Sequence, residues 1–141
     1  MITEVKKMAE ILYTQDGGKL AFGDYHLKEK TKVEDFAFGA DILKVKTYAD
    51  ITRFEKNGLV VFESVPGTSV TGFVETADAM EFSVCGKGPV SITLGLQDDT
   101  VYEIIEDGNQ TGAVKTGLGG KLNLSLDLSG ERTAFVVVKK A

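Results

Sequence analysis

The stretch Lys121-Leu122-Asn123-Leu124-Ser125-Leu126-Asp127-Leu128 decides the fold class of this chain. Every second residue in it is leucine, and every intervening residue is polar. A β-strand directs successive side chains to opposite faces, so this pattern predicts four leucines in a core and four polar side chains in water. We therefore expect an amphipathic strand that packs against a second layer of the protein.

The same alternation recurs along the chain. Met80, Phe82 and Val84 repeat it, and so do Ile92 and Leu94. Glycine-containing turn motifs separate such segments, for example Asp16-Gly17-Gly18, Pro66-Gly67, Asp107-Gly108-Asn109, Gly119-Gly120 and Ser129-Gly130. Short strands with a turn about every 8–12 residues indicate a sandwich or barrel. We predict an all-β, jelly-roll-like antiparallel β-sandwich of about 10–12 short strands.

The length of 141 residues fits one domain. We place the domain at residues 8–141 and expect residues 1–7 to be a polar extension, disordered or poorly anchored. The N-terminal segment lacks the apolar run of a signal peptide. No apolar segment approaches the roughly 20 residues that span a bilayer. We expect a cytoplasmic protein without a membrane partner.

Residues 48–56 are ambiguous. Thr47-Tyr48-Ala49-Asp50 has the spacing of a helix capping box, Tyr48, Ile51 and Phe54 recur every three residues, and Asn57-Gly58 can end a helix. These features favour a short helix. The alternative is a hairpin, because Asn-Gly is also the preferred two-residue turn between strands.

Charge and composition exclude several classes of function. The net charge is −5, and no run of basic residues stands out in the sequence, so we expect no nucleic-acid partner. The only histidine is His26 and the only cysteine is Cys85. A zinc site needs three or four His, Cys or carboxylate ligands, and a disulfide needs two cysteines. We predict no metal site and no cofactor, and we expect His26 at the surface.

Five residues are candidates for a ligand site. Tyr25, Tyr48 and Tyr102 could stack on a sugar ring, although core positions are the alternative for such residues. Glu63 ends the apolar run Leu59-Val60-Val61-Phe62, where a carboxylate either needs a partner or serves as an acid–base catalyst. Arg53 or Lys46 could be that partner. We favour a structural ion pair for Glu63. If any residue of this chain is catalytic, Glu63 is the candidate.

Four segments together resemble small bacterial proteins that carry the label "endosialidase". These are Ile51–Gly58, Glu63–Thr68, Ile92–Leu96 and Leu118–Leu122. The resemblance extends from about Met8 to the end. True endosialidases cleave polysialic acid with a six-bladed propeller, and a propeller blade has four strands. About a dozen strands suffice for two or three blades, so we transfer no catalytic residue to this chain.

Tyr102-Glu103-Ile104, which leads to Asp107-Gly108, is similar to accessory β-sandwich modules of polysaccharide-active enzymes. This second likeness is one of fold alone. Taken together, the sequence favours a non-catalytic module that binds a glycan or a protein partner. A glycan-active, endosialidase-like glycoside hydrolase and a structural or assembly subunit remain alternatives. The sequence leaves open whether the chain forms a homo-oligomer.

Overall fold

The computed structural model describes residues 11–141. This part of the chain contains thirteen β-strands and no helix, arranged in two antiparallel sheets that pack as a sandwich. The prediction of an all-β sandwich is confirmed. The N-terminal extension predicted for residues 1–7 lies outside the described residues.

The two sheets have seven and six strands. The seven-stranded sheet contains, in spatial order, β1 (Leu12–Gln15), β2 (Lys19–Phe22), β7 (Ser69–Glu75), β8 (Ala79–Cys85), β13 (Thr133–Lys140), β10 (Val101–Glu106) and β11 (Asn109–Lys115). The six-stranded sheet contains, in spatial order, β12 (Lys121–Asp127), β9 (Pro89–Gly95), β6 (Leu59–Val65), β5 (Ile51–Lys56), β4 (Asp41–Tyr48) and β3 (Thr31–Phe38).

The core lies between the sheets and is built on phenylalanine. Phe22 of the seven-stranded sheet stacks on Phe54 of the six-stranded sheet, with ring centroids 4.5 Å apart. Phe62 and Phe73 meet Phe22 edge to face. Such contacts between aromatic rings add about 0.5–1.5 kcal/mol each to the free energy of burial. This cluster joins β2 and β7 of the seven-stranded sheet to β5 and β6 of the six-stranded sheet.

The leucine stretch behaves largely as predicted. Leu122, Leu126 and Leu128 are buried, and Leu124 is half-buried. Leu124 lies opposite Ile92 and still packs against the core. Strand β12 is at the edge of its sheet, so its side chains have a neighbouring strand on one side only. An edge strand can leave one of its inward side chains, here Leu124, in partial contact with solvent while Leu122 and Leu126 are buried.

The helix predicted for residues 48–56 is wrong, and the hairpin alternative is correct. Tyr48 ends β4 and pairs with Ile51 at the start of β5. Thr47, the expected helix cap, is buried and hydrogen-bonds to the hydroxyl of Thr52, with 2.8 Å between the oxygens. Asn57 has a φ of 53° and sits in the next turn. The period-two burial of Thr52 and Phe54 overrides the three-residue spacing that suggested a helix.

Candidate functional site

The outer face of the six-stranded sheet carries a row of polar side chains that crosses all six strands. Cross-strand pairing joins each member to the next. We call these residues the polar row: Lys32, Lys46, Arg53, Glu63, Thr93 and Asn123. Their neighbours along the strands, such as Val45, Phe54 and Ile92, are buried in the core. Because side chains alternate along a strand, the polar row points away from the core.

Hydrogen bonds hold four of the six side chains of the polar row in place. Arg53 Nε donates to Glu63 Oε1 over 2.7 Å, and Thr93 Oγ1 donates to Asn123 Oδ1 over 2.8 Å. The side chains of Arg53 and Glu63 are 35% and 27% exposed. This ion pair confirms Arg53 as the partner of Glu63. Its partial exposure limits its contribution to stability, because solvent screens the attraction.

The end of the polar row that lies on β3, β4 and β5 is basic. Lys32 lies directly opposite Lys46, and Lys46 lies directly opposite Arg53. Partial burial lowers the pKa of Lys46, and the positive charges of Arg53, Lys30 and Lys32 lower it further. Within residues 11–141, Lys30, Lys32 and Lys46 form no ion pair. The register of three strands therefore creates a basic cluster from residues that are well separated in the sequence.

An apolar row lies beside the polar row on the same face. Tyr48 pairs with Ile51, and Val65 is the next outward residue on β6 after Glu63. Tyr48 and Ile51 are half-exposed, and 53% of Val65 is exposed. Partial burial is also the main reason why the pKa of the Tyr48 hydroxyl is raised. Three predicted candidates, Tyr48, Arg53 and Glu63, thus share one surface.

The other two candidates lie elsewhere, and both are buried. Tyr25 is 5% exposed and lies at the end of the sandwich where β8 and β12 finish. Its hydroxyl donates to Glu131 Oε1 over 2.8 Å, and burial is the largest cause of its raised pKa. Tyr102 is 3% exposed and lies in β10, facing a cleft at the opposite end. Neither tyrosine presents an exposed ring.

The only histidine and the only cysteine of the chain approach each other near Tyr25. His26 Nε2 lies 3.2 Å from Glu131 Oε1, and Cys85 Sγ donates to the backbone carbonyl oxygen of Glu131 over 3.3 Å. His26 is exposed, as predicted. Its ring contacts carboxylates, whereas the Cys85 thiol contacts the Tyr25 hydroxyl and a carbonyl. In the part of the chain that the structure describes, this arrangement gives Cys85 no general base.

Two further kinds of site are a metal site and a pair of catalytic carboxylates around Glu63, and the described residues supply neither. Residues 11–141 contain no group of three or more His, Cys, Asp or Glu side chains placed to hold a metal ion. The cross-strand neighbours of Glu63 are Arg53 and Thr93, so no second carboxylate faces it across the strands. A glycosidase of the usual kind needs two carboxyl groups on either side of the bond that it cleaves.

The polar row was not predicted from the sequence, although part of the information was present there. The alternation in β5 and β12 already places Arg53 and Asn123 on outward positions. The pairing of Lys32 with Lys46 and of Glu63 with Thr93 depends on strand order and register, which the sequence does not display.

A comparison of the chain with protein-family models, curated proteins and solved structures finds no match. The resemblance to endosialidase-labelled proteins therefore rests on the four sequence segments alone. Among the described residues, no helix is long and apolar enough to cross a membrane.

Proposed function

We propose that this protein is a non-catalytic β-sandwich module that binds a glycan through the outer face of its six-stranded sheet. The observation that carries the proposal is the polar row beside Tyr48. Arg53, Glu63, Thr93 and Asn123 present charged, hydroxyl and amide groups in one line. Such groups are both donors and acceptors, as the hydroxyl groups of a sugar require.

The geometry of the row favours an extended ligand. Neighbouring strands lie about 4.8 Å apart, so the polar row is about 24 Å long from the first strand to the sixth. The face is a surface and not an enclosed pocket, and a polymer can lie across it. Tyr48 and Val65 supply apolar contact area next to the polar groups, which is what the carbon face of a sugar needs.

The basic end of the polar row, on β3, β4 and β5, favours a glycan that carries negative charges. Lys32, Lys46 and Arg53 outnumber the single carboxylate of Glu63. Like charges directly opposite each other destabilise a sheet, and a bound anion would relieve that repulsion. We expect binding of acidic polysaccharides to be tighter than binding of neutral ones.

A glycan array with the purified protein tests this proposal, followed by calorimetry on the best ligand at low and high salt. We expect Arg53→Gln and Lys46→Gln to weaken binding about tenfold, since a hydrogen bond to a charged group is worth about 1.5–3 kcal/mol. Lys139→Gln is the matched control, because Lys139 lies on the other sheet. Binding to no array member, or equal affinity of all variants, would contradict the proposal.

A second candidate function, binding of a protein partner or a second copy of the chain, is favoured by one observation. On the outer face of the seven-stranded sheet, Val137 pairs with Ile105, and Phe135 is the preceding outward residue on β13. Phe135 is 43% exposed. An exposed aromatic residue next to Val137 and Ile105 is the kind of side chain that interfaces use. Light scattering of the protein and of Phe135→Ser separates a dimer from a monomer.

The enzyme alternative has less support. Glu63 is engaged with Arg53, and the cross-strand residues around it supply no second carboxylate. An endosialidase-like hydrolase would need both a general acid and a nucleophile or base. A cytoplasmic location remains a prediction from the sequence, and so does the role of a structural or assembly subunit.

A further inference from the structure

A cleft of about 390 Å³ opens between the two sheets at the end of the sandwich that holds the β5–β6, β7–β8 and β9–β10 connections. Its walls are largely apolar and include Leu59, Val61, Ala79 and Leu96. Pockets that bind small molecules usually measure about 300–1,000 Å³ and combine apolar walls with a few polar groups. No residue of the polar row lines the cleft, although Lys121 of the cleft lies two residues before Asn123 on β12, so the function of the cleft is a separate question.

An ion pair between the sheets borders the cleft. Lys56 Nζ at the end of β5 lies 2.7 Å from Glu75 Oε1 at the end of β7. The two residues also line a smaller pocket of about 120 Å³ that reaches Phe54 and Phe73. The pair connects the sheets at this point and satisfies the charge of Lys56 within the protein.

Tyr102 supplies the first polar group that points to a ligand. Its side chain is buried and lines the cleft, and its hydroxyl oxygen accepts a hydrogen bond from the backbone N–H of Gln97 over 3.2 Å. A tyrosine hydroxyl can also donate one hydrogen bond. No acceptor for that proton is found among residues 11–141. The oxygen itself already has a partner, and no buried side-chain nitrogen or oxygen atom among the described residues lacks one. The hydroxyl proton is therefore spare donor capacity that a ligand oxygen in the cleft could accept.

Lys121 supplies the second polar group. It lies at the start of β12 and lines the cleft. Lys56 is paired with Glu75, but Lys121 forms no ion pair within the described part of the chain. Lys121 is exposed, so its charge does not require a partner, but like Tyr102 it is a donor among the residues that line the cleft. An acceptor with negative charge would complement both donors. Leu59, which is 73% exposed at the cleft, extends the apolar surface into solvent.

We propose that this cleft binds a small carboxylate with an apolar body. The carboxylate accepts hydrogen bonds from the Tyr102 hydroxyl and the Lys121 ammonium group, and the apolar body lies against Leu59, Val61 and Leu96. A carboxylate matches both donors, whereas an uncharged alcohol of the same length would leave the positive charge of Lys121 unpaired.

The probes for this site are decanoate, decanol and inorganic phosphate, measured by calorimetry and by shifts of backbone amide signals in NMR spectra. We expect decanoate to bind at least tenfold more tightly than decanol, with the largest shifts at the cleft. Phosphate alone should not bind, because it has no apolar part. Tighter binding of phosphate than of decanoate would show an anion site of a different kind and would overturn the proposal.

Three variants and one control locate the binding of decanoate. Tyr102→Phe keeps the ring and removes the donor, and Lys121→Gln removes the charge; each should weaken binding about tenfold. Tyr102→Phe also loses the contact with Gln97, so Leu59→Asp serves as a variant at an exposed position that cannot disturb the core. It places a negative charge at the cleft and should abolish binding. Lys87→Gln, at the opposite end of the sandwich, should bind decanoate unchanged.

Unchanged affinity in all three cleft variants, or amide shifts confined to the outer face of the six-stranded sheet, would overturn this inference. Neither result would affect the proposed glycan site, because its residues are not part of the cleft lining. In the same way, loss of glycan binding in Arg53→Gln would leave the decanoate result standing.

Discussion

Replacing Lys46 by glutamine should stabilise this protein, although the change deletes a charge from a polar surface. Lys46 lies between Lys32 on β3 and Arg53 on β5, with one like-charge pair on each side. Cross-strand charge pairs contribute roughly 0.2–1 kcal/mol each, and like charges act against stability. Lys46→Gln removes both repulsive pairs and also a weaker attraction to Glu63. After screening, we expect a gain of about 0.5 kcal/mol in the free energy of unfolding.

The assay is urea unfolding and thermal unfolding, both followed by circular dichroism, at about 0.01 M and about 1 M ionic strength. A gain of about 0.5 kcal/mol corresponds to a rise of about 2 °C in Tm for a domain of this size. The Debye length falls from about 30 Å to about 3 Å between these conditions, so the gain should shrink at high salt. Lys139→Gln is the control, because Lys139 lies opposite Glu103 and its removal should be neutral or slightly destabilising.

The lowered pKa of Lys46 also determines how the free energy of unfolding changes with pH. The folded protein has a lowered pKa at Lys46, so in the alkaline range the unfolded chain binds more protons there than the folded chain does. The free energy of unfolding therefore contains a Lys46 contribution that rises with pH over that range, and Lys46→Gln should lose it. A destabilised Lys46→Gln variant, or a gain that is equal at both salt concentrations, would refute the account of charge crowding.

Three further predictions follow from the burial of the leucines, the lack of metal ligands and the surroundings of Glu63. Leu126→Ala should lose about 2–5 kcal/mol and the half-buried Leu124→Ala clearly less, as measured by urea unfolding; equal losses would contradict the difference in burial between the two leucines. Prolonged treatment with EDTA should leave Tm unchanged, and a drop reversed by added metal would reveal a site that we missed. Incubation with polysialic acid should produce no new reducing ends, since Glu63 pairs with Arg53; shortening of the polymer that Glu63→Gln abolishes would make the enzyme alternative the leading one.

The fold could be predicted where a single pattern dominates a strand. The alternation at residues 121–128 and at Met80, Phe82 and Val84 gave the inward faces correctly, because each strand there has one polar and one apolar side. The prediction failed at residues 48–56, where two periods fit the same residues. Only the pairing partners on β4 and β6 decide between them, and these are tertiary contacts.

The candidate site was predicted in part, and the reason lies in the register. Tyr48, Arg53 and Glu63 were identified by residue type, and the structure places them on one face. The helix interpretation would have separated Arg53 from Glu63, since helical and extended backbones direct these side chains differently. Tyr102 could not be assigned to the core from sequence, because apolar residues occupy both alternating positions of the Val101–Ile105 segment.

The register of the six-stranded sheet concentrates positive charge in one row of side chains, although the strands of each sheet carry equal numbers of basic and acidic residues. The polar row contains three cations and one carboxylate, so it carries +2 in a chain whose net charge is −5, which leaves −7 on all other residues. If the proposed glycan site is correct, an anionic polymer would be repelled by the molecule as a whole and attracted to the polar row. Such an arrangement favours the correct orientation during encounter and disfavours non-specific contacts elsewhere. The total charge of this protein argues against polyanionic ligands, yet one of its surfaces is basic. Total charge does not determine which residues the register of a sheet brings together.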